Sequence, residues 1–370
     1  APGTYINSKG DLMLFLYRDQ YKTIAELSEK ELRLGGLRIN PATNISSRAR
    51  YFTDIKIKPV KDNEPTNVTG LPENPRIANL SWSPDEKKLA FTQTTNTGVE
   101  LWVIDIKSAK AKKLTDASLN ANMGNTINWF KDSEAILVKM LPKDRKELID
   151  EAMAVPTGPT VSVSDGKEAQ NRTYQDLLKD PNDEYNFEQL ARSTLFKVDL
   201  NGNKSQWMKA NMYDDISFSP DGEYIMISHI KKPFSYLVPY YRFPTETNVY
   251  KNDASLVNMV NDVPLLEDLP QGFMSTQKGR RSLNWRADKP ATLVFAMALD
   301  GGDPAVEVDH RDQVFMLDAP FKGEGKAFLK TINRYSGIIW GNDETAIAMD
   351  YWWNTRNSKT YLIDPSGNNK

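Results

Sequence analysis

The sequence predicts an all-β fold, namely a β-propeller of four-stranded blades with a partly helical insertion. Three observations predict it. A strand–turn–strand motif recurs along the chain, a further strand pattern follows most of its later copies, and one long segment loses the strand pattern. Short sheets repeated along a chain and joined by tight turns are typical of propeller blades.

The motif is clearest in two copies, at residues 81–91 and 217–227. Both copies contain Ser-x-Ser-Pro-Asp and are interpreted as a strand, a tight turn and a second strand. Proline presets φ at the first turn position, aspartate bonds to its own backbone, and glycine accepts positive φ. These residues are therefore expected to make turns rather than to bind ligands. Weaker copies start at Asn7, Asn128, Asn284 and Ile339.

A third strand is predicted after most of the later copies. Four segments have an apolar pattern that ends in aspartate: residues 101–105, 195–199, 313–318 and 360–364. Most copies lie farther apart than the roughly 40 to 50 residues of a compact blade, so insertions are expected in the loops.

Two segments are expected to depart from the blade pattern. Residues 142–192 are predicted to form a partly helical insertion, because the stretches 143–153 and 174–192 are charged and rich in helix-forming residues. An irregular N-terminal segment is predicted at about residues 18–48, with a short amphipathic helix at residues 24–32. The second set of strands is then expected to start near residue 50.

Composition excludes several classes of function. The chain has 47 basic and 49 acidic side chains, a net charge of -2, so no overall field favours a nucleic acid or an anionic membrane. It has no cysteine, which excludes disulfides, thiolate metal sites and cysteine nucleophiles. Its apolar runs are far shorter than the roughly 20 residues of a membrane-spanning helix. We predict no nucleic-acid partner and no membrane partner, and the compartment stays open, with a secreted or periplasmic location among the alternatives.

The sequence contains no recognisable catalytic or metal-binding pattern. No Gly-x-Ser-x-Gly nucleophile elbow occurs, and the only histidines, His229 and His310, have no supporting motif for a Ser-His-Asp triad. Glu307 and His310 form a lone Glu-x-x-His, and the Asp-rich segments lack the ligand spacing of a calcium loop. We predict no catalytic residue, no metal and no cofactor in this chain.

Several motifs resemble a known family. Residues 31–41, 172–178, 238–244 and 299–304 are similar to the propeller of the glutamyl endopeptidase branch of the prolyl oligopeptidase-like serine peptidases. The resemblance extends over essentially the whole chain. In that family a propeller precedes an α/β-hydrolase domain and restricts which peptides reach the active site. The resemblance also implies cleavage preferentially after Glu. The resemblance implies that residues 1–370 are the propeller region and that the catalytic domain is absent from this chain.

Five residues in the family-like motifs are candidates for contact with substrate. Guanidinium groups bind carboxylates through two parallel hydrogen bonds, which would suit an acidic peptide. At least one of the arginines is therefore expected to line the central cavity or the face that meets a peptidase domain. The alternative is that the arginines form salt bridges between blades. The candidates are Tyr240, Tyr241, Arg242, Arg286 and Arg311.

The leading functional hypothesis is a non-catalytic propeller that gates substrate access and docks an α/β-hydrolase domain of the same polypeptide. The alternatives are a free-standing propeller that binds a peptide or protein partner, and an inactive periplasmic or surface scaffold. The last predicted strand ends near residue 364, so we expect an open ring. Unpaired sheet edges in such a ring would favour self-association.

Overall fold

The computed structural model describes residues 2–62, 64–150, 153, 158, 166, 173–342 and 344–366. Arg172 and Asp343, which belong to two of the sequence motifs, and residues 155–157 and 159–160 of the insertion lie outside the described residues. The chain divides into two compact units, Ala1–Gly158 with Asp176–Ile216, and Pro159–Gln175 with Ser217–Lys370. We call them unit 1 and unit 2.

Unit 1 contains three four-stranded antiparallel sheets and one three-stranded sheet among its described residues. The four-stranded sheets have the orders β1-β2-β6-β7, β11-β10-β9-β8 and β12-β13-β14-β15, and the three-stranded sheet has the order β3-β4-β5. Its elements are β1 (Gly3–Ile6), β2 (Leu12–Tyr17), α1 (Ile24–Leu27), β3 (Leu32–Leu34), β4 (Leu37–Asn40), β5 (Ile45–Ser46), β6 (Asp54–Pro59), β7 (Thr66–Asn67), β8 (Ile77–Trp82), β9 (Lys88–Thr94), β10 (Val99–Asp105), β11 (Lys110–Lys113), β12 (Ile127–Trp129), β13 (Ala135–Met140), α2 (Pro181–Ala191), β14 (Ser193–Asp199) and β15 (Lys204–Asn211).

Unit 2 contains the remaining sheets of the described chain, with the orders β16-β17-β18-β19, β20-β21-β22-β23 and β24-β25-β26. The first strand of the first of these sheets begins within the range of unit 1. The elements are β16 (Tyr213–Phe218), β17 (Tyr224–Ile230), a 3-10 helix (Tyr240–Arg242), β18 (Thr245–Lys251), β19 (Leu256–Val263), β20 (Arg281–Trp285), β21 (Thr292–Ala298), β22 (Asp312–Asp318), β23 (Lys326–Thr331), β24 (Arg334–Trp340), β25 (Ala346–Trp352) and β26 (Asn357–Ile363).

The six predicted turn motifs all join the first strand of a sheet to its second strand, and the four predicted third strands correspond to β10, β14, β22 and β26. The two clearest copies share one hydrogen-bond network. The Ser83 hydroxyl donates to Asp85 (2.6 Å) and accepts from the Lys88 backbone N–H (3.0 Å). Ser219 makes the equivalent bonds to Asp221 (2.5 Å) and the Tyr224 N–H (3.0 Å). The prediction of a β-propeller of four-stranded blades with a partly helical insertion is confirmed.

Hydrophobic cores lie between successive sheets within each unit. In β21, alternate side chains point to opposite faces, as in any strand. Leu293 and Phe295 join a core with Met226 and Val249 of the preceding sheet. Val294 and Ala296 point the other way, into a core with side chains of the sheet that follows, namely Tyr335, Ile338 and Trp340. The β20–β23 sheet is therefore packed on both faces, as propeller blades are.

Two tryptophans tie neighbouring sheets together at equivalent places. The indole N–H of Trp129 donates to the carbonyl of Ser81 (3.1 Å), and that of Trp285 donates to the carbonyl of Ser217 (3.3 Å). Each tryptophan ends the first strand of its sheet, and each serine opens a turn motif of the preceding sheet. These tryptophans therefore hold neighbouring sheets together.

The helical segments are shorter than expected. Helix α1 covers only Ile24–Leu27, and the residues from Leu32 onward form a strand. The helix expected at residues 143–153 is wrong for residues 143–150, which contain no helix. They run instead along α2, where the Asn186 side chain bonds both the N–H (2.8 Å) and the carbonyl (2.9 Å) of Ile149. Tertiary hydrogen bonds therefore replace the helical ones that local sequence favours.

Candidate functional site

The histidines do not assemble a catalytic pair. His229 lies opposite Glu246 in the β17–β18 ladder, with Nε2 4.0 Å from a carboxylate oxygen of Glu246. Burial lowers the pKa of His229. Within the part of the chain that the structure describes, neither His229 nor His310 shares a hydrogen bond with a serine hydroxyl, and no group of three or more His, Cys, Asp or Glu side chains could hold a metal. No described helix has the length and apolar character needed to cross a membrane.

The Tyr-Tyr-Arg candidates lie in the connection between β17 and β18, on the 3-10 helix. Tyr241 is 61% exposed, and its ring packs edge-on against Tyr240 at 5.8 Å between centroids. Arg242 is buried, with its guanidinium carbon 5.5 Å from the centre of the Tyr174 ring. Its Nη1 donates to the Leu266 carbonyl at 3.4 Å. Tyr241 is therefore the accessible member of the run, and Arg242 is held against an aromatic ring.

Arg286 is held by a carboxylate of its own turn. Its Nε and Nη2 donate to the two oxygens of Asp288 at 2.8 and 2.9 Å. The guanidinium also lies over the ring of Trp340, at 4.5 Å, and the residue is buried. The hydrogen bond from Arg286 is the main cause that lowers the pKa of Asp288. The salt bridge of Arg286 therefore lies within its own turn and not between blades, whereas its contact with the Trp340 ring reaches the following sheet.

Arg311 belongs to a buried network of three arginines and two aspartates. The Asp300 carboxylate forms ion pairs with Arg311 and Arg334, with N···O distances of 2.8 and 2.7 Å. The Asp312 carboxylate pairs with Arg334 at 3.2 Å and also with Arg281. Both carboxylates are fully buried. Burial alone would raise the pKa of Asp300, but the hydrogen bonds from Arg334 and Arg311 lower it below its usual value.

Arg286 and Arg311 cannot bind one ligand carboxylate together. Arg286 follows the end of β20, which pairs with the start of β21, whereas Arg311 adjoins Asp312, which pairs with Ala298 at the other end of β21. At about 3.3 Å per residue, the two ends of this strand are roughly 20 Å apart. Arg242 and Arg311 are alike in position instead, since each lies in the connection between the second and third strands of its sheet.

Sequence reasoning missed two members of the arginine network, Arg281 and Arg334. Each is the first residue of the first strand of a sheet, and neither lies in a recognisable motif. Arg281 pairs with Asp312, which is 31 residues away in sequence, and Arg334 pairs with Asp300 and Asp312, which are 34 and 22 residues away. The only signal in the sequence is a positive charge at the start of two strands that contain no other charged residue.

Unit 1 contains a lysine that is buried completely. Lys139 lies in β13, and its amine donates to the carbonyl of Met123. Desolvation lowers the pKa of Lys139 to about 8, although Asp214 and Asp215 oppose this effect. Burial also raises the pKa of Asp214. The buried environment therefore makes the Lys139 amine lose its proton at a lower pH than it would in water.

Comparison with known proteins finds two relatives that match nearly the whole chain. A probable glutamyl endopeptidase, chloroplastic, of Arabidopsis thaliana is 34% identical over 383 residues, covering 100% of this chain and 40% of the relative. One of Oryza sativa subsp. japonica is 34% identical over 371 residues, covering 96% of this chain and 39% of the relative. The chain is therefore similar over essentially its whole length to one region of two probable glutamyl endopeptidases. It spans about 40% of the length of these relatives, in which the matched region is part of a longer polypeptide.

Other comparisons add no functional argument to this glutamyl endopeptidase-like region. No protein-family profile matches the chain. The acylaminoacyl peptidase of Pyrococcus horikoshii is similar with a TM-score of 0.45 and 15% identity, covering 98% of this chain and 44% of that chain. The tricorn protease is similar with a TM-score of 0.44 and 14% identity, covering 96% and 32%.

Proposed function

We propose that this chain is the non-catalytic propeller of a serine peptidase, which restricts the peptides that reach the active site and docks an α/β-hydrolase domain of the same polypeptide. The observation that carries the proposal is the 34% identity to two probable glutamyl endopeptidases over essentially the full chain. More than half of each relative lies outside the matched region, which leaves room for a separate catalytic domain.

A propeller suits a size filter for a physical reason. Its blades are rigid sheets with cores between them, so a passage bounded by blades cannot widen without loss of core packing. An extended peptide would pass where a folded domain or a large unfolded chain would not. Tyr240, Tyr241, Arg242 and Arg311, which lie in corresponding connections of their sheets, are proposed to serve the substrate-facing or domain-facing surface. Arg286 lies at the other end of β21 and is paired with Asp288. Tyr241 is the strongest of the four, because its side chain is the most accessible of the Tyr-Tyr-Arg run.

The gating role predicts discrimination by size in the longer peptidase that contains this region. A short peptide and a long unfolded protein that carry the same Glu cleavage site are compared by kcat/KM. We expect the short peptide to be preferred by about tenfold or more, a difference of about 1.4 kcal/mol in activation free energy. Two short peptides of different sequence serve as the control for side-chain preference. Equal rates for the short peptide and the long protein would show that the propeller does not select by size.

A further inference from the structure

One cavity of unit 1 has a volume of about 840 Å³. Its walls come from the irregular segment around α1 and from residues that precede β6 and β8. Its volume falls within the roughly 300 to 1,000 Å³ of typical ligand sites. The cavity is rich in charged side chains of both signs, so its chemistry depends on which of them are already paired.

Three of the four acidic side chains that line the cavity are engaged. Glu26 accepts the Thr23 backbone N–H (2.8 Å) in a capping box at the start of α1. Glu29 accepts the Asn40 side-chain amide (2.6 Å) and lies 3.4 Å from Arg76. Glu31 accepts Arg33 (2.8 Å) and the Ser47 hydroxyl. Of these four acidic side chains, only Asp19 has no hydrogen bond or ion pair with another described residue.

Of the five basic side chains that line the cavity, Arg33 and Arg76 have carboxylate partners, whereas Lys22, Arg48 and Arg50 have none among the described residues. Arg48 and Arg50 are exposed and line the cavity, and neither guanidinium has an ion-pair partner within the described parts of the chain. The Lys22 amine donates to the Ser47 carbonyl (2.6 Å), which leaves its charge unpaired. Arg76 lies over the Tyr51 ring at 4.6 Å, and its Nε is buried with no hydrogen-bond partner among described residues. The cavity therefore has an excess of positive charge and free donors.

Apolar side chains accompany these charges. Tyr21 is 78% exposed and Leu27 is 71% exposed, and both line the same cavity. Exposed aromatic and aliphatic side chains beside free guanidinium groups match a ligand with both carboxylate and apolar groups.

We propose that this cavity binds an acidic peptide segment, with a Glu or Asp carboxylate held by Arg48 and Arg50 and with neighbouring apolar side chains packed against Tyr21 and Leu27. The choice of a peptide rests on the proposed function, whereas the requirement for a carboxylate rests on the unpaired guanidinium groups alone. The residues that line this cavity belong to unit 1 and include none of the five candidates, which belong to unit 2.

The test is fluorescence anisotropy with a labelled peptide of alternating Leu and Glu, and with its analogue in which Gln replaces every Glu. We expect the Glu peptide to bind about tenfold more tightly than the Gln peptide. The double variant Arg48→Gln with Arg50→Gln is expected to lose that preference, because the two changes remove the same interaction. The control variant is Lys107→Gln with Lys131→Gln, which removes two exposed positive charges outside the cavity and is expected to bind like the parent chain.

Several results would overturn the inference: no binding of the Glu peptide, equal affinity for both peptides, or an unchanged preference in the arginine double variant. Thermal melts of the variants show whether an altered preference reflects loss of the fold. Because binding is measured on this chain without a catalytic domain, a failure here leaves the serine peptidase assignment untouched.

Discussion

Replacing Asp300 by Asn is expected to lower the free energy of unfolding by about 3 kcal/mol at neutral pH, because the change leaves two buried guanidinium groups with less neutralising charge. Asp300 is fully buried and pairs with Arg311 and Arg334 within 2.8 Å. Asn keeps the size of the side chain and can still accept the Gly302 backbone N–H, so the lost charge is the main change.

The effect should depend on pH with a definite sign. The pKa of Asp300 is lowered in the folded chain. Its carboxylate therefore contributes stability above the usual pKa of an aspartate, and that contribution is lost as the pH falls through the lower folded value. The difference in stability between the parent chain and Asp300→Asn is expected to be full at neutral pH and to shrink on acidification below about pH 4.

The measurement is urea denaturation at several pH values. Asp309→Asn is the matched control, because Asp309 is exposed and lies in the same connection between β21 and β22. We expect this control to change stability by no more than about 0.5 kcal/mol. An Asp300→Asn variant as stable as the control at neutral pH would mean that the arginine network does not depend on this charge.

Replacing Lys139 by Met is expected to stabilise the chain by about 2 kcal/mol at pH 7, the cost of protonating a buried amine less the lost hydrogen bond to Met123. The pKa of Lys139 is lowered to about 8, from an ordinary value of 10.5. At pH values between about 8 and 10.5, the unfolded chain therefore binds a proton at Lys139 that the folded chain does not bind. Stability contributed by this group rises with pH across that interval, and the gain from Met should shrink in parallel.

Thermal and urea unfolding between pH 7 and pH 10.5 test this expectation. Lys110→Met is the control, because Lys110 is an exposed strand residue of the same unit. A Lys139→Met variant that is less stable than the parent chain at pH 7 would contradict the account. That result would mean that the ammonium group, with the fields of Asp214 and Asp215, stabilises the fold despite its burial.

The sequence predicted the features that local chemistry determines. Turns such as residues 83–88 are closed by hydrogen bonds within six residues, so their residue types identify them without tertiary information. Residues 143–153 are predicted to be rich in helix because of their composition, but residues 146 and 149 instead bond to α2 side chains about 40 residues away. Local propensity is overridden by tertiary contacts in such cases.

The candidate site could be predicted only in part, for a similar reason. The motifs identified Arg242, Arg286 and Arg311 by type, but whether a guanidinium is free depends on carboxylates supplied from elsewhere in the fold. Asp288 is within the Arg286 motif and could have been paired with it from sequence, whereas the free state of Arg48 and Arg50 follows only from the pairing of the acids around them.

The most direct test of the central account is labelling with a fluorophosphonate probe, which reacts with activated serine hydroxyls. The account predicts that this chain is not labelled and does not hydrolyse glutamyl or prolyl peptide reporters. A longer polypeptide that joins this region to an α/β-hydrolase domain should be labelled at one serine outside residues 1–370. Stoichiometric labelling of any serine in this chain alone would contradict the account, because it would show an assembled nucleophile and base within the propeller.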